Sequence, residues 1–121
     1  MALTIAAART ALDSALTGVT HVEWSENGST VSSKLAATAV TLESAADLTT
    51  YARKGISVAS PPQLTAAASS AGTITHWRFT TAASGGTAKT GWNALTSPAV
   101  LASGGQISLA NVALYEKLTP A

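Results

Sequence analysis

The sequence predicts a mainly β domain, an antiparallel β-sandwich of six to eight short strands with one short N-terminal α-helix. Three observations lead there. Gly72–Thr81 alternates strictly, with Thr75, Trp77 and Phe79 on one side and Ile74, His76 and Arg78 on the other, as strand side chains do. Turn residues at Asn27-Gly28, Pro61-Pro62, Gly85-Gly86 and Gly104-Gly105 cut the chain into short runs. Only one segment, near the N-terminus, has a clear helical period. A chain of 121 residues suits one domain, spanning residues 1–121.

The helix is expected over residues 4–16. Thr4 can cap it, Ile5, Ala8, Leu12, Ala15 and Leu16 form one apolar stripe, and Gly18 is placed to stop it. Arg9 and Asp13 stand four apart and can pair on its exposed face. So short a helix is marginal alone and must dock, on its own sheet or on another subunit. Val19–Ser25 reads as a strand with Val22 and Trp24 on one face and His21 and Glu23 on the other. Asn27-Gly28 is a hairpin signal leading to a second strand over Thr30–Leu35. Between Ala36 and Tyr51, Val40 and Leu42 alternate, and Ser44–Tyr51 reads as a helical turn.

Gly55–Ala59 and Leu64–Ala68 are further short strands, separated by Ser60-Pro61-Pro62. After the central strand, Ala88–Leu95 carries Trp92 as a hairpin partner and Pro98 ends it. The last strand runs over Gln106–Lys117. Its alternation slips between Ile107, Leu109 and Val112, Leu114, as a β-bulge near Ala110-Asn111 would produce. The expected core is Trp24, Trp77, Phe79, Ile107, Leu109, Val112 and Leu114.

Hydrophobic residues make up 46% of the chain, but many are alanines that bury little area. A core of this kind gains from oligomerisation, so a homo-oligomer is expected. Charged residues are only 11% and the net charge is +1, without a basic stripe, which argues against nucleic-acid binding. A surface so poor in charge fits one partly covered by neighbours. There is no cysteine, hence no disulfide, zinc finger or thiol catalyst. No basic segment leads into an apolar run after Met1, and no long apolar stretch occurs, so neither a signal peptide nor a membrane span is expected.

Residues able to do chemistry are sparse. His21 and Glu23 share a strand face, with His76 as a third metal-ligand candidate, but a metal site needs more ligands than this pattern offers. His76, Asp47 and a serine supply the residue types of a triad without any nucleophile elbow. The run Ser84-Gly85-Gly86-Thr87-Ala88-Lys89-Thr90 lacks phosphate-loop spacing and reads as a turn. No catalytic, cofactor or metal residue is therefore assigned, and no small-molecule substrate is expected. Trp92, in Thr90-Gly91-Trp92-Asn93, is the one tryptophan with surroundings polar enough for an exposed contact. A sugar-binding module would need several such rings, and aromatic residues are only 5%.

One further pattern spans most of the chain. An Ala-rich helix at Ile5–Leu16 is followed by a strand with a polar turn at His21–Gly28. Then come Gly72-Thr73-Ile74-Thr75-His76-Trp77-Arg78-Phe79, a Ser-Gly-Gly-Thr turn at Ser84–Thr87, and a closing Gly-Gly-Gln-Ile-Ser-Leu strand. This resembles a family of small virion structural proteins of tailed bacteriophages of actinobacterial type. The chain departs from it in having His76 at a position usually aromatic and Thr80-Thr81-Ala82-Ala83 where the family has an acidic turn. The resemblance implies a non-enzymatic role in the virion, foremost as a minor capsid or decoration protein bound to the major capsid protein, and next as a tail protein. Ile5, Leu12, Leu16 and Trp92 are then the candidate interface.

Overall fold

The computed structural model describes residues 4–58, 64–109 and 112–120, and for Leu64 the backbone alone. The helix α1 covers Ile5–Ala15; Thr4 Oγ1 accepts from the Ala7 amide at 3.0 Å, and the Leu16 amide donates to the Leu12 carbonyl. Gly18, at φ +84°, then turns the chain out of the helix, a conformation that favours glycine. The strands follow as β1 (His21–Ser25), β2 (Thr38–Ala39), β3 (Ala46–Asp47), β4 (Ala52–Gly55), β5 (Leu64–Ala67), β6 (Gly72–Thr80), β7 (Asn93–Leu101), β8 (Gln106–Leu109) and β9 (Tyr115–Leu118).

They form three antiparallel sheets, ordered β2-β1-β6-β7, β3-β4-β9 and β5-β8. The four-stranded sheet turns one face inward. Val22 lies opposite Phe79 and Trp24 opposite Trp77, so these four side chains share that face. Trp77 and Phe79 meet edge to face with ring centroids 4.8 Å apart. Ile56, Leu109, Leu114 and Leu16, from the other layer and the helix, close over them in one cluster with Leu35, Ala68, Ile74 and Leu101. Trp24 is fully buried yet keeps its indole N–H partnered, 3.1 Å from Thr38 Oγ1 on β2. A second cluster of Ala8, Leu12, Ala45 and Ala52 packs α1 onto the three-stranded sheet, with Ile5 and Leu118 at its edge. Small residues there let the helix approach the sheet closely.

Several elements differ from the sequence-based expectation. No strand follows the Asn27-Gly28 turn; the Ser25 hydroxyl accepts from the Asn27 and Gly28 amides, and Asn27 Oδ1 accepts from those of Ser29 and Thr30. These side-chain bonds build a wide bend in place of a tight hairpin, and the partner of β1 is β2. Ser44–Tyr51 contains the strand β3 instead of a helical turn, because its peptide groups pair with β4. That pairing also starts β4 at Ala52, ahead of the expected Gly55; Ala59 and Ser60-Pro61-Pro62 lie outside the described residues.

Pro98 does not end the hairpin partner of β6. The register runs from His76 opposite Ala94 to Ile74 opposite Ala99, so Pro98 sits in an irregular stretch of an edge strand, where no amide is required. The final segment is two strands, not one bulged strand: β8 pairs with β5 and β9 with β4. Ala110 and Asn111 lie outside the described residues. Val112 has φ +59° just before β9 and is only partly buried, which corrects its assignment to the core; Ile107 is likewise half-buried against the core. Trp24, Trp77, Phe79, Leu109 and Leu114 are buried.

Candidate functional site

Ala8, Leu12 and Leu16 of the helix stripe face inward, whereas Ala15, expected in the same stripe, is exposed. Leu12 and Leu16 are 7% and 3% exposed within the single chain, which corrects their assignment to an interface with a neighbour. Ile5 is half-buried at the rim of the same cluster. Arg9 and Asp13 do not pair with each other. Arg9 reaches Asp47 of β3 at 3.3 Å, and Asp13 reaches Lys54 of β4 at 2.7 Å, so both tie the helix to the sheet beneath it. Lys54, and next the Ala45 amide, hold the Asp13 carboxyl below the usual carboxylate range.

The outward face of the four-stranded sheet carries Glu23, Arg78 and Trp92. Glu23 lies opposite Arg78, their side chains meet at 2.8 Å, and the guanidinium lies 4.1 Å from the centre of the Trp92 ring. Trp92 is half-buried, so its ring serves first as a platform for Arg78.

The histidines flank this trio and are separately engaged. Thr20 Oγ1 lies 2.8 Å from the Thr81 carbonyl and 2.9 Å from His21 Nδ1. His76 contacts Thr75 Oγ1 at 2.7 Å, and its ring lies so close to Gly28 that a Cβ there would stand 3.0 Å from Nε2. His76 and Asp47 are not brought together: Asp47 is on β3 with Arg9. Among the described residues no three His, Asp or Glu side chains are grouped to hold a metal.

A second feature has no counterpart in the sequence reading. A cleft of about 330 Å³ opens between the edge strands β7 and β9, lined by Asn93, Leu95, Thr96, Tyr115 and Lys117, with Trp77 also at its wall. Asn93 Nδ2 donates across it to Glu116 Oε1 at 2.8 Å. The Ile56 amide donates to the Leu114 carbonyl, and the Glu43 amide to the Gly55 carbonyl. In that antiparallel register Glu116 and Leu118 turn their peptide groups to β4, while Tyr115 and Lys117 turn theirs to the open edge.

On the sheet face away from α1, Arg53 and Lys117 are direct cross-strand neighbours. Arg53 lies 6.0 Å from the Tyr115 ring centre and Lys117 5.4 Å from that of Tyr51. Like charges directly opposed on a sheet are unfavourable unless something answers them. Gly55 lets β9 pass here: a Cβ at that position would stand 2.8 Å from Tyr115 Cβ and from Val112 Cγ1. Alternating pattern alone could not reveal this site, because it depends on which strand pairs with which.

No protein family matches the chain, and neither a curated protein nor a solved structure is significantly similar to it.

Proposed function

We propose that the chain is a non-enzymatic structural protein of a tailed-phage virion. It sits on the outer surface of the head shell and bridges junctions of the major capsid protein. The observation that carries this reading is that β7 and β9 are edge strands whose outer sides meet no further strand among the described residues, on a small domain assembled from three open sheets. Open edges are templates for pairing with another chain. The low charge and the family resemblance in helix, central strand and closing strand support the same role. With Leu12 and Leu16 committed to its own core, the protein would contact neighbours through strand edges and outward sheet faces. Binding to a multi-subunit lattice, combined with self-association, multiplies weak contacts and adds stability to the shell.

The test is mass spectrometry of purified virions separated into heads and tails, followed by sedimentation of the protein with undecorated heads and with free capsid subunits. The expected result is recovery with heads, binding to assembled heads above free subunits, and weak dependence on salt. Recovery with tails alone would move the protein to the tail. Absence from both fractions would overturn the virion role.

A further inference from the structure

We propose that the cleft between β7 and β9 binds an extended, acidic segment of a partner protein, which pairs with the open edge of β9 and sets a carboxylate against Lys117 and Arg53. The partner need not be a capsid subunit.

Tyr115 and Lys117 direct both an N–H and a C=O outward, and no bond within the described residues satisfies them. The Lys89 amide donates to the Phe79 carbonyl, so Phe79 and, two residues before it, Trp77 turn their peptide groups toward β7; Asn93 lies opposite Trp77, and Ala94 turns its own to the other side, the open edge. An occupant must therefore present donors and acceptors in alternation at strand spacing. An extended peptide does so. A nucleic-acid backbone offers phosphate acceptors and would leave the carbonyls of Tyr115 and Lys117 unanswered.

The ion pairs among the described residues are Arg9–Asp47, Lys54–Asp13 and Arg78–Glu23. Arg53 and Lys117, side by side on one face, meet no carboxylate among the described residues and rest against tyrosine rings. A strand added beside β9 would place its own side chain directly opposite Lys117, about 5 Å away between Cβ atoms. A glutamate or aspartate there answers the opposed cations, and the residues two positions away meet Tyr115 on the same face. Glu116, the acidic residue of β9, is engaged by Asn93 and belongs to the other face.

The probe is a capped, fluorescein-labelled octapeptide alternating valine and glutamate, followed by fluorescence anisotropy and by amide exchange of the full chain. We expect saturable binding and slowed exchange at the amides of Tyr115 and Lys117. The same peptide with lysine for glutamate should bind at least about tenfold more weakly, roughly 1.4 kcal/mol. Backbone N-methylation of the glutamate peptide should abolish binding. The double variant Arg53→Glu, Lys117→Glu should reverse the preference between the two peptides. The lysine control on the unaltered protein keeps the test valid if that variant misfolds. Equal binding of both peptides, no binding of the glutamate peptide, or protection elsewhere on the chain would overturn the proposal. So would preferential binding of a thymidine oligonucleotide at this cleft. Failure here leaves association with heads untouched, and failure with heads leaves peptide binding standing.

Discussion

Glu23 and Arg78 face each other across β1 and β6, joined by a 2.8 Å contact from Arg78 Nε to Glu23 Oε1, with Trp92 stacked against the guanidinium. One arginine thus links two strands and the segment entering a third. Its neighbours in sequence, Trp77 and Phe79, point to the opposite face and fill the core. Both partners of the ion pair are largely covered, with side chains 26% and 13% exposed. A double-mutant cycle with Arg78→Met and Glu23→Gln should give a coupling of about 1 kcal/mol in urea unfolding. Zero coupling would show that the contact adds nothing to stability.

Trp92 should account for most of the quenchable tryptophan fluorescence. Trp24 is fully buried and Trp77 is 5% exposed, whereas Trp92 is half-buried. Acrylamide quenching should fall sharply in Trp92→Phe. Unchanged quenching would mean that one of the other two rings is reached by solvent.

Trp77→Ala should lower stability by about 3–5 kcal/mol, because it removes a large ring from the core and from its edge-to-face contact with Phe79. That loss is a large part of the stability of a small domain. An unchanged melting temperature would contradict the burial of the ring.

Leu12→Ala should cost about 2–4 kcal/mol as a core truncation, since Leu12 packs with Ala8, Ala45 and Ala52 under the helix. Were the helix a detachable docking arm, the same change would leave unfolding unaltered and weaken only association. Urea unfolding of the isolated protein separates the two outcomes.

Asp13 should contribute to acid sensitivity. Its carboxyl is held below the ordinary range by Lys54 first and the Ala45 amide second. A depressed folded-state pKa adds stability that is complete above the ordinary carboxylate range and disappears as pH falls through the folded value. Asp13→Asn should therefore lower stability at neutral pH and flatten its decline into acid. Asp13 is 46% exposed, so the difference should be modest and should shrink in high salt. Parallel urea titrations of the two proteins at neutral and acid pH measure it; identical pH profiles would refute the role.

Local pattern determined a good deal of this molecule. The alternation of Gly72–Thr81 identified β6 and the inward faces of Trp77 and Phe79, because the twofold period of a strand needs no distant partner to be read; Ile74, expected on the side of His76 and Arg78, is instead fully buried in the cluster of Trp77 and Phe79, next to a register shift against β7 that the alternation did not show. Thr4 and Gly18 bounded α1 for the same local reason, through a hydroxyl cap and a positive φ. The mainly β class followed from the spacing of turn residues. Tertiary structure decided the rest. Val40 to Tyr51 carries no strong period, so its peptide groups became β3 only when β4 lay beside them. Ile107 to Leu114 showed the slip in alternation, yet a slip cannot distinguish a bulge from a change of sheet; pairing with β5 and then β4 made it the latter. Leu12 and Leu16 had an apolar stripe that would suit any apolar partner, and the chain's own sheet supplied one. The opposition of Arg53 and Lys117 beside an open edge joins residues 64 positions apart, and only strand pairing could place them together.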